Sequence, residues 1–387
     1  MNNKYSKTRS LNSIKKGMSF IISTVLIFSV LSVSGCNNYK PFDLPEEGVE
    51  NTSENNGKIE ESINPVEPEN TDSFSDGQFV FNPEAINQYY LDELKDKPIQ
   101  IKLAKRILKA VYDLETEFEL TGEYECEEED FVQALRLARL SNPMVNCTSV
   151  SLNDSNTVKI VYYPPYSQSF DSDDNSYKDE VGNDFREFEL FVTETINKNI
   201  SFEDNSIERA KKIYNVLVNE LELDYDAERI VNTNGSVSEN IIECNNTDII
   251  KVPETGKLPF WSFMGLYQFF LTQLDVEYIC VVGGGDYNET EFEKINEYKL
   301  ELEFVWFWTI ITDGGNAYNT DILMDKIALD SQRESNASRE SDLLFFGMSD
   351  DTRKKSFNYQ ARKLVMTMYP LKQIDKQIDL PECKTDY

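Results

Sequence analysis

The sequence contains no histidine among its 387 residues. Histidine is the usual general base near neutral pH and the commonest metal ligand in proteins. Its absence excludes Ser-His-Asp and Cys-His catalysis, together with every zinc site that needs an imidazole. The sequence therefore weighs against enzymes of these classes and predicts neither a metal ion nor another cofactor.

Positive charge is also scarce. The chain has 38 Lys and Arg residues against 69 Asp and Glu residues, which gives a formal net charge of −31. Residues 1–35 hold five of the basic residues and no acid, so their removal would lower the charge to −36. Such a surface repels nucleic acid and anionic lipid headgroups, and no nucleic-acid partner is expected. The length and 40% apolar content suffice for one or two packed domains.

The N-terminus has the features of a secretion signal. Lys4, Lys7, Arg9, Lys15 and Lys16 form a basic head, and the apolar run "MSFIISTVLIFSVLSV" follows it. The next stretch, "LSVSGC", resembles the lipobox of bacterial lipoproteins. The resemblance implies that residues 1–35 are a signal peptide and that Cys36 becomes a diacylglyceryl-bearing N-terminus. Two or more acyl chains would anchor the chain stably to the outer face of the cytoplasmic membrane. The alternative is an uncleaved anchor helix.

Residues 36–80 are predicted to be a disordered acidic tether. The stretch is rich in Glu, Asn, Pro and Ser and has few large apolar residues, so it cannot bury enough surface to offset the entropy of ordering. A flexible chain of this length reaches roughly 35–40 Å on average. The tether would hold the folded part away from the lipid surface.

Residues 81–166 are predicted to form a small helical and hairpin subdomain. Residues 83–118 have helical periodicity, and "CEEEDFVQALRLARLSNP" reads as a second helix that ends before Pro143. The run "CTSVSLNDSNTVKIVYYPPY" alternates around a polar turn, which indicates a hairpin.

The stretch "FDSDDNSYKDE" interrupts the pattern and is predicted to link two parts of the body. Asp171, Asp173 and Asn175 have the spacing of the first ligands in a calcium-binding loop. Ser176 stands where such a loop needs glycine, and Gly182 stands where it needs glutamate. A solvated acidic loop is therefore expected instead of a metal site.

The second half, residues 184–360, alternates amphipathic helices with apolar strands, and residues 361–387 form a C-terminal segment. Asp204, Asn205 and Ser206 are all candidate caps for a helix that follows them. "LPFWSFMGLYQFFLTQLDV" predicts a helix whose first turn accommodates a proline. "VEYICVVGG" and "FVWFWTII" predict buried strands, with Gly283–Gly285 as a loop after the first. Asp313-Gly314 predicts a two-residue hairpin turn.

This order of helix, helix, strand, glycines, hairpin and Asp resembles the transglutaminase-like family, which has a papain-like Cys-His-Asp core. The family's Cys opens the central helix and falls on Phe260. Its His falls on Trp306, with Trp308 matching the aromatic two residues later, and its Asp falls on Asp321. The segment "SDLLFFGMSDD" resembles the aromatic-plus-SD segment that follows the triad in this family, and the N-terminal half resembles the helical extension that precedes the domain in clostridial lipoproteins. The resemblance implies an α+β fold in which a central helix packs on an antiparallel sheet.

The residues at these positions depart from the family pattern. Phe260 has no nucleophilic atom, and the indole of Trp306 donates through its N–H but accepts no proton. Asp321 alone is kept, although an Asp in this role normally orients a His. The resemblance therefore implies a pseudoenzyme with no catalytic residue, in which Phe260 and Trp306 stack and fill the former cleft.

Two alternatives stay open for these residues. Phe260 and Trp306 can be ordinary core residues of an unrelated α+β domain. Asp321 can be a helix cap in front of "ILMDKIALD" whatever the fold is.

Five cysteines remain besides Cys36, and an odd number cannot all pair within the chain. They are Cys126, Cys147, Cys244, Cys280 and Cys383. Cys126 and Cys147 flank one helix and can be joined, whereas Cys280 is expected to be a buried thiol. Cys244 lies in an acidic stretch that raises a thiol pKa, so it is a poor nucleophile.

Three functions follow from these patterns. The favoured one is a lipid-anchored, noncatalytic lipoprotein that binds an envelope protein or a wall peptide. The second is an active cysteine peptidase or transglutaminase-type enzyme with an unrecognised site. The third is a solute-binding lipoprotein, for which the sequence offers no internal repeat.

Overall fold

The computed structural model describes residues 74–75, 77–153, 155–163, 175–224, 248–284, 305–334, 343–357 and 380–387. The helices are α1 (Gln88–Glu93), α2 (Pro98–Tyr112), α3 (Glu128–Ser141), α4 (Lys178–Asn199), α5 (Ser206–Glu220), α6 (Val252–Thr255), α7 (Phe260–Gln273), α8 (Ile322–Glu334) and α9 (Asp350–Phe357). The strands are β1 (Phe74–Ser75), β2 (Gln78–Phe79), β3 (Glu117–Glu119), β4 (Thr148–Leu152), β5 (Thr157–Tyr162), β6 (Glu222–Leu223), β7 (Lys257–Leu258), β8 (Tyr278–Gly284), β9 (Val305–Asp313) and β10 (Asn316–Thr320). The fold is mixed α+β, with helices packed around small, mainly antiparallel sheets.

The helical stretch predicted over residues 83–118 is divided in two, and it ends earlier than expected. Pro98 occupies the first turn of α2, and the residue before a proline avoids the helical conformation, so α1 and α2 cannot be continuous. Leu114 ends α2 in a left-handed conformation with φ of +57°. The Leu114 N–H donates to Val111 and the Glu115 N–H donates to Ala110, which is a Schellman arrangement.

The N-terminal sheet confirms the predicted hairpin. β4 and β5 pair antiparallel from Thr148 opposite Tyr162 to Leu152 opposite Val158, and β3 pairs with the other edge of β5. At the turn, the Asn153 Oδ1 accepts hydrogen bonds from the backbone N–H groups of Ser155 and Thr157. This asparagine therefore fixes the turn with its own side chain.

Helix α5 begins at the residue after Asn205, which is the cap among the three candidates. The Asn205 Oδ1 accepts from the Glu208 N–H at 2.9 Å, and the Glu208 Oε2 accepts from the Asn205 N–H at 3.0 Å. These two bonds form a capping box, which satisfies two donors at the start of the helix.

The second sheet has the order β10-β9-β8, so β9 is the central strand, as its continuous apolar sequence predicted. The predicted turn is shifted by one residue. Asp313 pairs with Asn316, so the two loop residues are Gly314 and Gly315. Their φ angles are +55° and +85°, and both positions of a type I′ turn need positive φ, which glycine adopts without strain.

The prediction of a glycine loop after β8 is wrong for its first two residues. Gly283 and Gly284 lie in β8 and pair with Trp306 and Val305. Pairing with β9 extends β8 through these two glycines, although glycine has a low intrinsic propensity for strands. Gly285 lies outside the described residues.

Helix α7 lies at the centre of the packing. Its residues Phe263, Tyr267, Phe270 and Leu271 have 0% exposure. The Gln268 Nε2 donates to the Thr309 Oγ1 at 3.3 Å and so joins α7 to β9. One cluster of buried side chains includes residues of both predicted parts of the body, and the division of the chain at residues 166 and 184 stays a prediction.

The folded body begins earlier than the tether prediction allowed. β1 and β2 form a short hairpin, in which Phe79 is 4% exposed and its N–H donates to the Asn197 Oδ1 at 2.9 Å. The aromatic residues Phe74 and Phe79 supply the apolar area that the rest of the tether lacks.

Residues 380–387 pack against the start of α9. The Asp386 carboxylate accepts from the Ser349 N–H at 2.6 Å and from the Thr352 hydroxyl at 2.8 Å. The Tyr387 N–H donates to the Gly347 carbonyl at 2.8 Å. A Cβ at Gly347 would lie 2.6 Å from the Tyr387 Cβ, so this contact requires glycine.

In the described ranges, none of the helices combines the length and the apolar character needed to cross a membrane. The apolar run before Cys36, and Cys36 itself, lie outside these ranges.

Candidate functional site

The three positions that the predicted resemblance aligns with a catalytic triad lie on α7, on β9 and directly before α8. Phe260 is the first residue of α7, and Trp306 is the second residue of β9. The side chains of both residues lie outside the described part of the structure. The aromatic stack predicted between them therefore stays a prediction.

Asp321 has a structural role. It is 2% exposed, and its Oδ1 accepts from the Met324 N–H at 3.2 Å, three residues into the helix. Its own N–H donates to the Phe345 carbonyl at 2.8 Å, and its carbonyl accepts from the Tyr214 hydroxyl at 2.9 Å. The interpretation of Asp321 as a helix cap is confirmed.

A second buried carboxylate lies one helical turn later and was missed by the sequence analysis. Asp325 is 5% exposed and accepts from the Tyr214 hydroxyl at 2.5 Å. It also accepts from the N–H groups of Leu344 and Phe345, at 2.8 and 3.0 Å. Burial raises the pKa of Asp325 to about 6, against the opposing effect of these three donors.

The residue after Asp325 is a buried cation. Lys326 has 0% exposure, and its Nζ lies 3.0 Å from the Asp330 Oδ1. The first half of α8 thus carries an aspartate and a lysine inside the protein, where charged groups need partners. Asp325 therefore joins α8 to the backbone of Leu344 and Phe345.

Trp308, the aromatic that follows the His position, is also held by structural contacts. Its Nε1 donates to the Asn319 Oδ1 at 2.9 Å, and the Arg353 guanidinium lies 3.5 Å from the ring centroid. Such a cation–π contact stabilises a buried indole.

The described cysteines are poorly suited to nucleophilic chemistry. Cys280 is a thiol with 6% exposure, as predicted, and burial raises its pKa to about 11. Cys126 and Cys147 are both thiols, so the disulfide considered between them is wrong. Burial also raises the pKa of Cys126, and Asp130 and Glu127 add to the shift. Cys244 lies outside the described residues.

The predicted acidic loop is described only from Asn175 onward. The Asn175 side chain accepts from the Tyr162 N–H and donates to the Ile160 carbonyl, so it closes the end of β5. Asp171 and Asp173 lie outside the described residues. Within the described ranges, no group of three or more Cys, Asp or Glu side chains is arranged to hold a metal ion.

A polar groove of about 500 Å³ lies at the other end of α7. Five segments line it: the chain before and within α1, one residue each of α2 and α5, the α7–β8 connection, and the β9–β10 turn. We call it the turn groove, because Gly314 and Gly315 of the β9–β10 turn form part of its rim. No sequence motif predicted it.

Hydrogen bonds fix the walls of the turn groove. The Asn82 N–H donates to the Gln273 Oε1 at 3.0 Å, and the Gln273 Nε2 donates back to the Asn82 carbonyl at 2.8 Å. The Asn87 Nδ2 donates to the Val276 carbonyl at 3.1 Å, and the Thr312 N–H donates to the Glu277 carbonyl at the same distance. The first three of these bonds join the N-terminal part of the body to the end of α7.

The lining of the turn groove is predominantly acidic. Four carboxylates line it, from Glu84, Asp275, Glu277 and Asp313, and Lys105 is the one basic residue among the lining residues. The turn groove also lies far from Trp306. Trp306 and Asp313 are seven residues apart on β9, which corresponds to about 23 Å in an extended strand.

No protein-family model matches the chain. A search of curated proteins gave no match to its sequence.

Proposed function

We propose that the protein is a lipoprotein held on the outer face of the cytoplasmic membrane by a lipid on Cys36. Its body is a degenerate transglutaminase-like domain that binds an envelope protein or a wall peptide and catalyses no reaction. The arrangement of α7 beside an antiparallel sheet, with an Asp directly after β10, supports the transglutaminase-like assignment.

The role of Asp321 is the observation that carries the noncatalytic part of this proposal. A catalytic Asp of this family would orient a histidine, and the chain has none. Here the Asp321 carboxylate accepts a backbone N–H of α8 and is almost fully buried. Asp321, the one residue that matches the family triad, therefore has a structural role as a helix cap.

The absence of a catalytic cysteine is tested by thiol labelling of the full chain. We expect a thiol-reactive probe to label Cys280 faster in urea than in the native state, because this thiol is buried and has a raised pKa. Single substitutions of Cys126, Cys244 and Cys280 by Ser serve as controls. Rapid labelling at pH 6 that needs the native fold, and that one of these substitutions abolishes, would show an active nucleophile.

The anchor is tested by a Cys36→Ser substitution in cells of a Gram-positive host. Without the thiol no diacylglyceryl group can be attached, so the protein should move from the membrane fraction to the medium or remain as an unprocessed precursor. Incorporation of labelled palmitate should be lost in the same variant. A Cys280→Ser variant is the matched control and should remain membrane-bound, and membrane retention of Cys36→Ser with a cleaved N-terminus would contradict the lipid anchor.

A further inference from the structure

We propose that residues 380–387 form an exchangeable strap, and that the surface they occupy also binds the same residues of a second copy of this chain. We call this surface the strap site; Lys211, Tyr318 and residues 346–352 form it. The proposal depends neither on the lipid anchor nor on the noncatalytic role proposed above.

The first argument is that hydrogen bonds hold the strap at two places. The Asp350 N–H donates to the Cys383 carbonyl at 2.9 Å, and the Cys383 N–H donates to the Asp350 Oδ2 at 3.1 Å. Further along the strap, the Asp386 carboxylate accepts from the Ser349 N–H and from the Thr352 hydroxyl. An ionised acceptor at the start of a helix makes strong hydrogen bonds and is favoured by the helix dipole. The strap site therefore favours an acidic side chain at this position.

The second argument is a cleft that fits an aromatic ring. The Tyr387 ring lies edge-to-face with Phe346 and Tyr318, at centroid distances of 6.1 and 5.8 Å, and the Lys211 Nζ lies 5.0 Å from its centroid. Gly347 has a φ of +69°, and a Cβ there would lie 2.6 Å from the Tyr387 Cβ. The strap site therefore excludes a side chain at the one position where the tyrosine approaches its backbone.

The third argument is that the strap buries little of its own surface. Cys383 is 2% exposed, but the residues on either side of it are exposed, and Tyr387 is 49% exposed. Segments with few buried contacts open locally while the rest of a protein stays folded. The strap can therefore detach without unfolding the body.

A second copy carries the sequence that the structure shows in the strap site. An identical chain can supply every contact that the strap makes with its own body, so exchange needs no new interface. Residues 358–379 separate α9 from the strap, and a chain of that length spans at most about 75 Å when fully extended. This length is enough for the strap of one copy to meet the strap site of a neighbour.

The first measurement is binding of a fluorescent peptide, with the sequence of residues 380–387, to the full chain. An Asp386→Ala, Tyr387→Ala variant loses the groups that occupy its own strap site, and we expect it to bind the peptide. The wild-type chain should bind at least about tenfold more weakly, because its own strap competes at a high effective concentration. A peptide of the same composition in scrambled order is the control and should not bind.

The second measurement combines two full-chain variants in the analytical ultracentrifuge. Gly347→Ala keeps the strap but obstructs the cleft, whereas the double variant keeps the strap site but lacks the groups that fit it. We expect neither variant to associate alone and an equimolar mixture to form a one-to-one complex. Adding Asp386→Ala and Tyr387→Ala to the Gly347→Ala chain should abolish the complex. If circular dichroism shows that Gly347→Ala fails to fold, the wild-type chain replaces it as the strap donor.

Two results would overturn the proposal. The first is that the double variant fails to bind the peptide at up to about 1 mM. A strap that stays docked in its own chain must have a dissociation constant below its effective concentration, which is on the order of millimolar for flexible linkers. The second is peptide binding without any complex in the mixture, which would rule out a second copy as the occupant. Either result leaves the proposed function standing, because thiol labelling and membrane fractionation test it separately.

Discussion

Replacing Asp325 by alanine is expected to lower the free energy of unfolding by about 3 kcal/mol. The carboxylate accepts from Tyr214 and from the N–H groups of Leu344 and Phe345. Alanine would leave the Phe345 N–H without its acceptor inside the protein. Tyr214 would keep its bond to the Asp321 carbonyl. The measurement is urea denaturation at pH 7. The slope of the unfolding free energy against urea concentration should be the same for the variant and the wild type.

Two further variants separate the causes. Asp351→Asn changes an exposed acid of α9 and should alter stability by less than about 0.5 kcal/mol. Asp325→Asn keeps one acceptor but places an amide NH₂ against the other backbone donor, so its loss should be smaller than that of alanine. If alanine at position 325 cost no more than Asp351→Asn, the bonds to Asp325 would contribute nothing measurable.

The same residue should make stability depend on pH between 5 and 7. The folded-state pKa of Asp325 is raised to about 6, so folding favours its protonated form. Its contribution is fully present below the unfolded pKa of about 3.9 and is lost as pH rises through the folded value. The wild-type chain should therefore lose about 1 kcal/mol from this group between pH 5 and pH 7, and Asp325→Asn should remove that part of the pH dependence.

The second large effect is expected from Lys251→Met, which should cost about 3 kcal/mol. The Lys251 Nζ lies 2.8 Å from the Asp184 Oδ1, and Asp184 is 7% exposed with its other oxygen unbonded within the described residues. Methionine keeps the apolar stem of the lysine but leaves a buried carboxylate without its cation. Chemical denaturation at pH 7 measures the loss.

The matched control is Lys198→Met. Lys198 pairs with Glu220 at 3.6 Å, but the two side chains are 70% and 57% exposed, so the variant should change stability by less than about 0.5 kcal/mol. An Asp184→Leu, Lys251→Met double variant should recover most of the loss, because no charge remains buried. Equal effects of the two lysine substitutions would show that the Asp184 pair is solvated.

The elements that are apolar along most of their length were predictable from the sequence. α7 was predicted as a helix and is buried on nearly every face, with Phe263, Tyr267 and Phe270 fully buried, and β9 was predicted as a buried strand and is the central one. A long apolar run predicts burial from the local sequence alone, because it has no polar face to direct toward solvent. The more specific transglutaminase-like fold stays a proposal.

The features that the sequence concealed depend on distant partners. Asp325 looks like a solvent-facing residue of an amphipathic helix. Its burial is compensated by hydrogen bonds from Tyr214, 111 positions away, and from the N–H groups of Leu344 and Phe345. The turn groove draws on five separate segments, so no local motif marks it. Gly283 joins a strand because Trp306 lies opposite, which a local propensity cannot show.

The placement of the turn groove at the far end of α7 from Phe260 has an evolutionary consequence. The helix is 14 residues long, or about 21 Å, so mutations at its first residue scarcely affect chemistry beyond its last. On the transglutaminase-like assignment proposed above, a substitution at the position of Phe260 would leave the hydrogen bonds around the turn groove intact. Loss of a reactive group at one end of α7 and preservation of the structure at its other end would then be independent events.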